Sequence, residues 1–137
     1  MAKLYESPCY CTNLRRSANA VSDYYDARLR PSGLTAAQYY LLLNLSRLGS
    51  ANMTRWAEHV GLERSTMVRN IHLLESRGLI APAEGRGRTF TLSEAGRAAL
   101  DAAMPLWEGA QRELEGFLGA EDAQAVLRIG ARLQELV

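Results

Sequence analysis

Cys9 and Cys11 are the residues of this chain best suited to covalent chemistry. Arg15 follows Cys11 by about one helical turn, and a cation in that position favours the reactive thiolate. Oxidation of the thiolate gives a sulfenic acid, which Cys9 or a thiol of a partner subunit could resolve. A disulfide between Cys9 and Cys11 themselves would be strained across the one intervening residue. The alternative interpretation is that both cysteines are small packing residues at the start of a helix.

A second group of side chains is suited to binding nucleic acid. It lies on one face of a helix predicted from about Glu63 to Arg77, and it combines short hydroxyl groups with guanidinium and amide groups. Such groups reach base edges and phosphates when a helix enters the major groove. The members of the group are Arg64, Ser65, Thr66, Arg69 and Asn70. The alternative is an ordinary amphipathic surface helix, which also exposes Arg and Ser.

Two arginines in a glycine-rich turn favour the nucleic-acid interpretation. Residues 79–81 and 89–92 have strand-like composition, and Gly85-Arg86-Gly87-Arg88 lies between them. Packing explains cations at the tip of a hairpin poorly, whereas a minor groove or backbone phosphates would bind them. We therefore expect Arg86 and Arg88 to contact DNA.

These side chains need a helix, a tight turn, a second helix and a hairpin to position them. A short helix over residues 54–60 ends at Gly61, and the helix from Glu63 to Arg77 and the hairpin follow. Apolar residues at helical spacing form the stripe of the second helix that faces a core. They are Met67, Ile71, Leu74 and Gly78. The order predicts a winged helix-turn-helix, in a fold that is mainly α with a small β-hairpin wing.

The N-terminal part of the chain predicts two more helices. The first runs from about Pro8 or Thr12 to Arg30, and Pro31-Ser32-Gly33 ends it. Thr35-Ala-Ala-Gln38 fits a capping box, and the strongly apolar segment from Tyr39 to Leu48 predicts a second helix that is buried on most sides.

The remaining segments complete the predicted order. Residues 49–52 are expected to form a loop, and Ser93 is the expected N-cap of a long fifth helix. Pro105 removes a backbone donor, so we expect a kink or an irregular turn there before the helix ends at Gly119. The last helix is predicted over about Ala120–Leu136.

The last quarter of the chain is more apolar than a lone winged helix requires. We expect its residues to form a dimer interface, although they could instead cover the chain's own core. A two-fold partner would place two recognition helices about 34–36 Å apart, one turn of DNA. The predicted organisation is a single unit, 1–137, with a helical dimerisation region at 1–33 and 98–137 and a winged helix-turn-helix region at 34–97.

Charge is distributed unevenly although the net charge is only +1. Residues 54–97 carry seven Arg against five Glu, whereas residues 101–137 carry three Arg against seven acidic residues. This pattern suits a basic DNA-binding head and an acidic helical end that stays off the DNA. No apolar stretch reaches about 18 residues, and Met1-Ala2-Lys3 leads into polar sequence without a signal-peptide pattern. We therefore expect a soluble, cytoplasmic protein without a membrane partner.

Catalysis is not indicated, and we expect neither enzymatic activity nor a cofactor. Gly85 and Gly87 belong to a hairpin and not to a phosphate loop between strand and helix, and no Ser/His/Asp set has a recognisable spacing. His59 is expected to be a surface or partly packed residue, and His72 either touches DNA backbone or is solvated. A metal at the two cysteines would need further ligands, which no nearby His supplies.

Helix order, the wing and three segments together resemble the multiple-antibiotic-resistance regulator (MarR) family. The segments are Leu62-Glu-Arg-Ser-Thr, Leu74-Glu-Ser-Arg-Gly-Leu-Ile and Leu92-Ser-Glu-Ala-Gly. The resemblance implies a homodimeric winged helix-turn-helix repressor with intertwined terminal helices that binds palindromic operators. Family members commonly carry Asp-x-Arg in the wing, where this chain has Glu84-Gly85-Arg86, and Arg86 is thereby implied as the minor-groove arginine.

The segment from Cys11 to Tyr39 is also similar to the organic-hydroperoxide-sensing branch of that family. Aligned on Gly33-Leu34-Thr35, Cys11 falls on the sensing cysteine of that branch, and Tyr25 and Tyr39 fall on tyrosines that hydrogen-bond it. Arg15 stands where that branch has a third tyrosine. The resemblance implies that an organic peroxide could release the protein from DNA by oxidising Cys11.

If the cysteines are inert, the wider family resemblance implies that a small aromatic or phenolic compound is the effector that releases the protein from DNA. A pocket between the dimer helices and the winged region could use aromatic walls with a few polar groups. Its candidate residues are Arg15, Tyr24, Tyr25, Tyr39, Tyr40 and Trp56. For each tyrosine, core packing is the alternative. A different class of function also remains open, namely a helical dimer that binds ligands or proteins without reading DNA.

Overall fold

Within residues 6–137, the part of the chain that the structure describes, the chain forms six α-helices and three short strands. The structure is a computed structural model. The expectation for Met1-Ala2-Lys3, and the start of the predicted dimerisation region, lie outside these residues. The helices are α1 (Tyr10–Leu29), α2 (Ala36–Leu48), α3 (Met53–Val60), α4 (Arg64–Ser76), α5 (Glu94–Leu118) and α6 (Ala120–Leu133). The strands are β1 (Ala51–Asn52), β2 (Ile80–Ala83) and β3 (Thr89–Leu92), so the predicted mainly helical class with a small β wing is confirmed.

The start of α2 joins three helices through hydrogen bonds. The predicted capping box is present: the Thr35 hydroxyl accepts from the Gln38 amide at 3.2 Å, and the Gln38 side chain accepts from the Thr35 amide at 3.0 Å. Asp26 of α1 accepts from the first helical amide, that of Ala36, at 2.7 Å. Gln38 also accepts from the guanidinium of Arg77, the C-cap of α4, at 3.1 Å.

The core is formed by side chains from the C-terminal end of α1, from α2, α3, α4 and the three strands, and from the first part of α5. Its largest fully buried side chains are Trp56, Leu29, Leu41, Leu42, Leu45, Met67, Leu74 and Leu100. Trp56 is 0 % exposed, and its indole Nε1–H donates to the Leu41 carbonyl oxygen at 3.1 Å. The expectation that Trp56 lines a ligand pocket is therefore wrong, because this hydrogen bond and the surrounding apolar side chains hold the ring in the core.

The stripe predicted for α4 is present, with one correction. Met67, Ile71 and Leu74 are buried, and they pack this helix on the core. Gly78 does not continue the stripe, because it lies beyond the helix with φ +69° and is exposed. A glycine suits this left-handed position, where the chain turns from α4 towards the wing.

The sheet contains a strand that the sequence did not predict. Residues 49–52 were expected to form a loop, but β1 pairs antiparallel with β3, with Ala51 opposite Phe90. β3 is the central strand, and β2 pairs on its other side with Ile80 opposite Leu92. The pairing links the segment before α3 to the base of the hairpin formed by β2, β3 and their turn. We call this hairpin, residues 80–92, the wing.

Helix α5 continues through Pro105 without an interruption. An irregular turn was one expected outcome, since proline cannot donate to the preceding turn. Leu100 and Ala103 are buried before Pro105, and Leu106 and Trp107 pack against the core after it. This tertiary packing holds the helical path despite the missing hydrogen bond.

Helices α1, α5 and α6 leave a large apolar surface exposed. α1 and α6 both pack against α5, yet Phe117 is 85 % exposed and Leu127 is 72 % exposed. Other exposed apolar residues of this surface are Val126, Ile129, Leu133, Leu136 and Val137. These side chains do not cover the chain's own core, which was the alternative to an interface. We refer to them, with Phe117 and Leu127, as the terminal apolar surface.

Candidate nucleic-acid interface

The face of α4 opposite the core carries the predicted DNA-binding side chains in two groups. Arg64, Ser65 and Arg69 are exposed and point away from the buried stripe. Thr66 and Asn70 are partly buried, and the Asn70 amide donates to the Thr66 carbonyl oxygen at 2.9 Å. The first three side chains therefore present two guanidinium groups and a hydroxyl to solvent, whereas the Asn70 amide is bound to its own helix.

Glu63 is a member of this surface that the sequence analysis missed. It is the N-cap residue of α4, but its side chain makes no capping bond to the backbone. Instead, the carboxylate accepts hydrogen bonds from the hydroxyls of Ser65 at 2.6 Å and Thr66 at 3.3 Å. The bonds from Ser65 and Thr66 hold the pKa of Glu63 below its ordinary value. The only signal in the sequence was a carboxylate two residues before a serine, which is too common to single out.

The two wing arginines have different surroundings. Arg86 is exposed at the turn. Arg88 forms an ion pair with Glu75 of α4 at 2.6 Å, and its guanidinium lies 5.0 Å from the centre of the Phe90 ring. Arg86 therefore has the solvent-facing position that the sequence analysis expected of both cations, whereas the Arg88 side chain, although 72 % exposed, also has an ion pair and a cation–π contact within the chain that link the wing to α4.

The turn that carries Arg86 is anchored on β3. The hydroxyl of Thr89 donates to the Arg86 carbonyl oxygen at 3.3 Å. Thr89 also lies against Gly85, where an added Cβ would be 2.6 Å from the Thr89 hydroxyl oxygen and φ is +155°. Only glycine fits both this conformation and this space, so the turn has a defined shape that presents Arg86 outwards.

The two cysteines lie at the start of α1, and both are exposed free thiols. The expected spacing is present, since the Arg15 guanidinium donates to the Cys11 sulfur at 3.9 Å. Cys9 is the N-cap of α1. Hydrogen bonds from the side chain and the amide of Thr12 lower the pKa of Cys9. This is the expected influence of helix-terminal donors on a thiol.

The tyrosines do not meet the cysteines within one chain. Tyr25 lies fourteen residues after Cys11 on α1, about 21 Å along the helix at ~1.5 Å per residue, and its hydroxyl donates to Gln111 of α5. Tyr39 is buried in the core and stacks on Trp107 at 6.2 Å between ring centres. Burial raises the pKa of both Tyr25 and Tyr39. Tyr40 is exposed on α2.

A cavity of about 470 Å³ lies between α1 and α5. Its lining is mostly apolar and comprises Ala20, Val21, Tyr24, Arg28, Glu113, Leu114 and Phe117. The Tyr24 hydroxyl lies 3.2 Å from a Glu113 carboxylate oxygen, and Arg28 forms an ion pair with the same carboxylate. Of the residues proposed for an effector pocket, this cavity includes Tyr24, and one of its lining residues is the exposed Phe117.

Comparison with known proteins identifies the family to which this arrangement belongs. A family model described as MarR family matches residues 32–89, from the turn after α1 to the start of β3. The M. tuberculosis transcriptional regulator MosR is 37 % identical with a TM-score of 0.80, and the match covers 94 % of this chain and 95 % of MosR. The chain belongs to the MarR family. A search of curated protein sequences gave no match.

Two further structures show what MarR relatives bind. MosR in complex with DNA is 32 % identical over 93 % of this chain and 97 % of that one, with a TM-score of 0.77. The transcriptional repressor CouR bound to p-coumaroyl-CoA is 27 % identical over 98 % of this chain and 100 % of that one, with a TM-score of 0.88. This MarR-family chain is accordingly a DNA-binding transcription regulator with a winged-helix fold.

The histidines of this MarR-family chain lie in the helix-turn-helix. His59 is exposed but its Nε2 lies 3.1 Å from the side-chain oxygen of Asn44, a buried polar residue, and His72 is exposed. Among the described residues, no cluster of three His, Cys, Asp or Glu could hold a metal ion. None of the helices within residues 6–137 combines the length and apolar character needed to cross a membrane.

Proposed function

We propose that this MarR-family regulator is a repressor that binds a palindromic operator as a homodimer in the cytoplasm, and that oxidation of Cys11 or a small aromatic ligand releases it. The observation that carries the proposal is the division of α4, which buries Met67, Ile71 and Leu74 and leaves Arg64, Ser65 and Arg69 exposed. This geometry fits a recognition helix that packs on a core and enters a major groove.

The winged helix-turn-helix region, residues 34–97, would make the DNA contacts. The exposed guanidinium groups of α4 would reach base edges or phosphates, and Arg86 would enter the adjacent minor groove from the wing. Arg88 would support that position by holding the wing on α4 through Glu75. The DNA complex of MosR supports the assignment, because that protein is similar to this chain over nearly its whole length.

Homodimerisation would use the terminal regions, residues 1–33 and 98–137. The terminal apolar surface, with Phe117 85 % and Leu127 72 % exposed, supplies exposed apolar side chains of the kind that a partner subunit covers. A two-fold axis through these helices would set the two copies of α4 about 34–36 Å apart, the spacing of successive major grooves. Specific DNA binding would then depend on the dimer.

Release by oxidation would begin at the exposed thiols. A peroxide would transfer one oxygen atom to the Cys11 thiolate and leave as the alcohol, giving a sulfenic acid that Cys9 or a thiol of the partner subunit then attacks with loss of water. The Arg15 guanidinium, 3.9 Å from the Cys11 sulfur, would favour the thiolate. The oxidised dimer must favour a spacing of its recognition helices that does not fit the operator.

Release by a ligand rests on a different observation. The mostly apolar cavity between α1 and α5 has a tyrosine hydroxyl, a guanidinium and a carboxylate at its wall, which suits an aromatic compound with a few polar groups. CouR, a repressor similar to this chain, binds p-coumaroyl-CoA. An aromatic effector would act by the same shift in the dimer's geometry.

Fluorescence anisotropy of labelled DNA from upstream of the protein's own gene tests the proposal. Reduced and organic-peroxide-treated protein are compared at two fixed salt concentrations, because phosphate contacts depend on salt. We expect tight binding that peroxide abolishes in the wild type and not in Cys11→Ser. Tight binding that peroxide does not change would support the repressor assignment, contradict release by oxidation, and favour release by an aromatic ligand. Equal affinity for this DNA and a scrambled duplex would favour a ligand-binding or protein-interaction dimer instead.

Arg69→Ala supplies the control that the binding uses α4. We expect this variant to lose base discrimination by about 1–3 kcal/mol, which is about 5- to 150-fold in relative affinity. Unchanged discrimination would contradict the placement of α4 in the major groove.

A further inference from the structure

The hydrogen bond that the Ser65 hydroxyl donates to Glu63 limits what Ser65 can bind. Its oxygen lies 2.6 Å from a carboxylate oxygen of Glu63, and a carboxylate only accepts hydrogen bonds. The hydroxyl has one proton, and this proton is donated to Glu63. Ser65 is nevertheless exposed on the outer face of α4. The part of Ser65 that faces outwards therefore offers lone pairs and no donor.

DNA offers few partners to a hydroxyl that can only accept. Phosphate oxygens are acceptors themselves, so Ser65 cannot bind a phosphate while its proton is donated to Glu63. In the major groove, the donors on base edges are the N6 amino group of adenine and the N4 amino group of cytosine. An acceptor on a recognition helix therefore selects these two bases over guanine and thymine.

We propose that Glu63 is a specificity-determining residue that commits Ser65 to accept a hydrogen bond from an adenine or cytosine amino group. The inference rests on the proposed function, because it assumes that α4 enters a major groove. Glu63 also places a negative charge beside the phosphate backbone, which weakens binding to any sequence. One side chain thus lowers non-specific affinity and raises base selectivity.

The geometry around Glu63 explains why the carboxylate stays in this role. It is not engaged in capping the backbone of α4, so its oxygens are free to hold side-chain hydroxyls. Thr66 donates a second, longer hydrogen bond to the same oxygen at 3.3 Å. These two bonds lower the pKa of Glu63, so the group is ionised and accepting at neutral pH.

Two substitutions separate the charge of Glu63 from its hydrogen bond. Glu63→Ala removes both, whereas Glu63→Gln removes the charge and keeps an acceptor for Ser65. The affinities for operator and scrambled duplexes are measured by anisotropy, with far-UV circular dichroism to confirm folding. We expect both variants to bind the scrambled duplex more tightly, and Glu63→Ala to reduce the operator-to-scrambled affinity ratio by about tenfold. Glu63→Gln should keep more of that ratio.

Glu58→Ala is the matched control, since it removes an exposed carboxylate from the neighbouring helix α3. It should raise affinity for both duplexes together and leave their ratio unchanged. A Glu63→Ala variant that behaves like this control, with an unchanged ratio, would overturn the proposal.

Operators that lack single amino groups identify the base that Ser65 reads. Purine replaces adenine, or pyrimidin-2-one replaces cytosine, at one position at a time. We expect one position at which this change weakens wild-type binding by about fivefold or more, has no effect on the binding of Ser65→Ala, and has a smaller effect on the binding of Glu63→Ala than on that of the wild type. The absence of any such Ser65-dependent position would overturn the inference while operator preference remained. A wild type without operator preference would overturn the proposed function as well.

Discussion

The backbone of Gly96 lies directly against the carbonyl oxygen of Leu79, so that a Cβ on Gly96 would be 2.0 Å from it. The same junction is held by hydrogen bonds from Ser93, whose amide donates to the Leu79 carbonyl at 3.2 Å and whose hydroxyl donates to the Gly78 carbonyl at 2.6 Å. The start of α5 is thereby fixed against the residues that lead from α4 into the wing.

Gly96→Ala should destabilise the protein by about 1–3 kcal/mol or more, because an overpacked junction can relax only by moving α5 away from Leu79. Urea unfolding followed by circular dichroism measures the loss. Gly109→Ala is the control, since Gly109 lies in the same helix and a Cβ added there has no neighbouring atom within 4 Å. That variant should gain about 0.5–1 kcal/mol from its higher helix propensity. Equal stability of the two variants would contradict the close approach.

Arg86→Ala and Arg88→Ala should affect DNA binding by different routes. Arg86 is exposed at the tip of the wing, so its loss should weaken operator binding directly and reduce the slope of log affinity against log salt by about 1. Arg88 is paired with Glu75, so its loss should leave that slope nearly unchanged. Anisotropy titrations at several salt concentrations measure both slopes. An equal reduction in the two variants would mean that Arg88 leaves Glu75 to bind phosphate.

Leu127→Glu should dissociate the proposed dimer. It places a carboxylate in the terminal apolar surface, where a partner subunit would bury the charge at a cost of several kcal/mol. Sedimentation velocity at micromolar concentration should change from dimer to monomer, and operator affinity should fall with it. Leu73→Glu is the control for the sedimentation measurement, because it places the same charge on an exposed leucine of α4, outside the terminal apolar surface, and should leave the dimer intact. A wild type that sediments as a monomer would remove the basis for the dimer.

Cys9 should react as a thiolate at a lower pH than an ordinary cysteine. Thr12 lowers its pKa in the folded chain, so the thiolate is present below the usual range and the alkylation rate should rise earlier with pH. The test uses the Cys11→Ser variant, which retains only Cys9, and compares iodoacetamide rates in the native and urea-unfolded protein. Thr12→Val should move the native profile towards the unfolded one. Coincident profiles for native and unfolded protein would contradict the assignment.

Local signals in the sequence predicted the helices well. The capping box of Thr35 and Gln38, the glycine after α3 at Gly61 and the apolar stripe of α4 each depend on residues a few positions apart. Such signals act within one element, so their outcome does not depend on how the chain folds elsewhere. Helix α4 and its exposed face followed from them.

Features that depend on distant partners could not be predicted in this way. β1 has two residues, too few for a strand pattern, and it forms because β3 offers an edge to pair with. Trp56 is held in the core by a carbonyl of α2, and Arg88 is held by Glu75 of α4. In each case the side chain has a partner from a distant part of the chain, and the residue type alone did not indicate that partner.

The hydrogen bonds at the start of α2 have a mechanical consequence. The Asp26 carboxylate accepts a hydrogen bond from the first amide of α2, that of Ala36, at 2.7 Å, and Gln38, two residues further on, accepts one from Arg77 at the end of α4 at 3.1 Å. A twist or tilt of α1 would therefore strain this chain of hydrogen bonds, which runs from α1 through the start of α2 to the end of α4. This chain of hydrogen bonds begins on α1, the helix that carries the thiols, and ends on α4, the helix that would lie in the major groove.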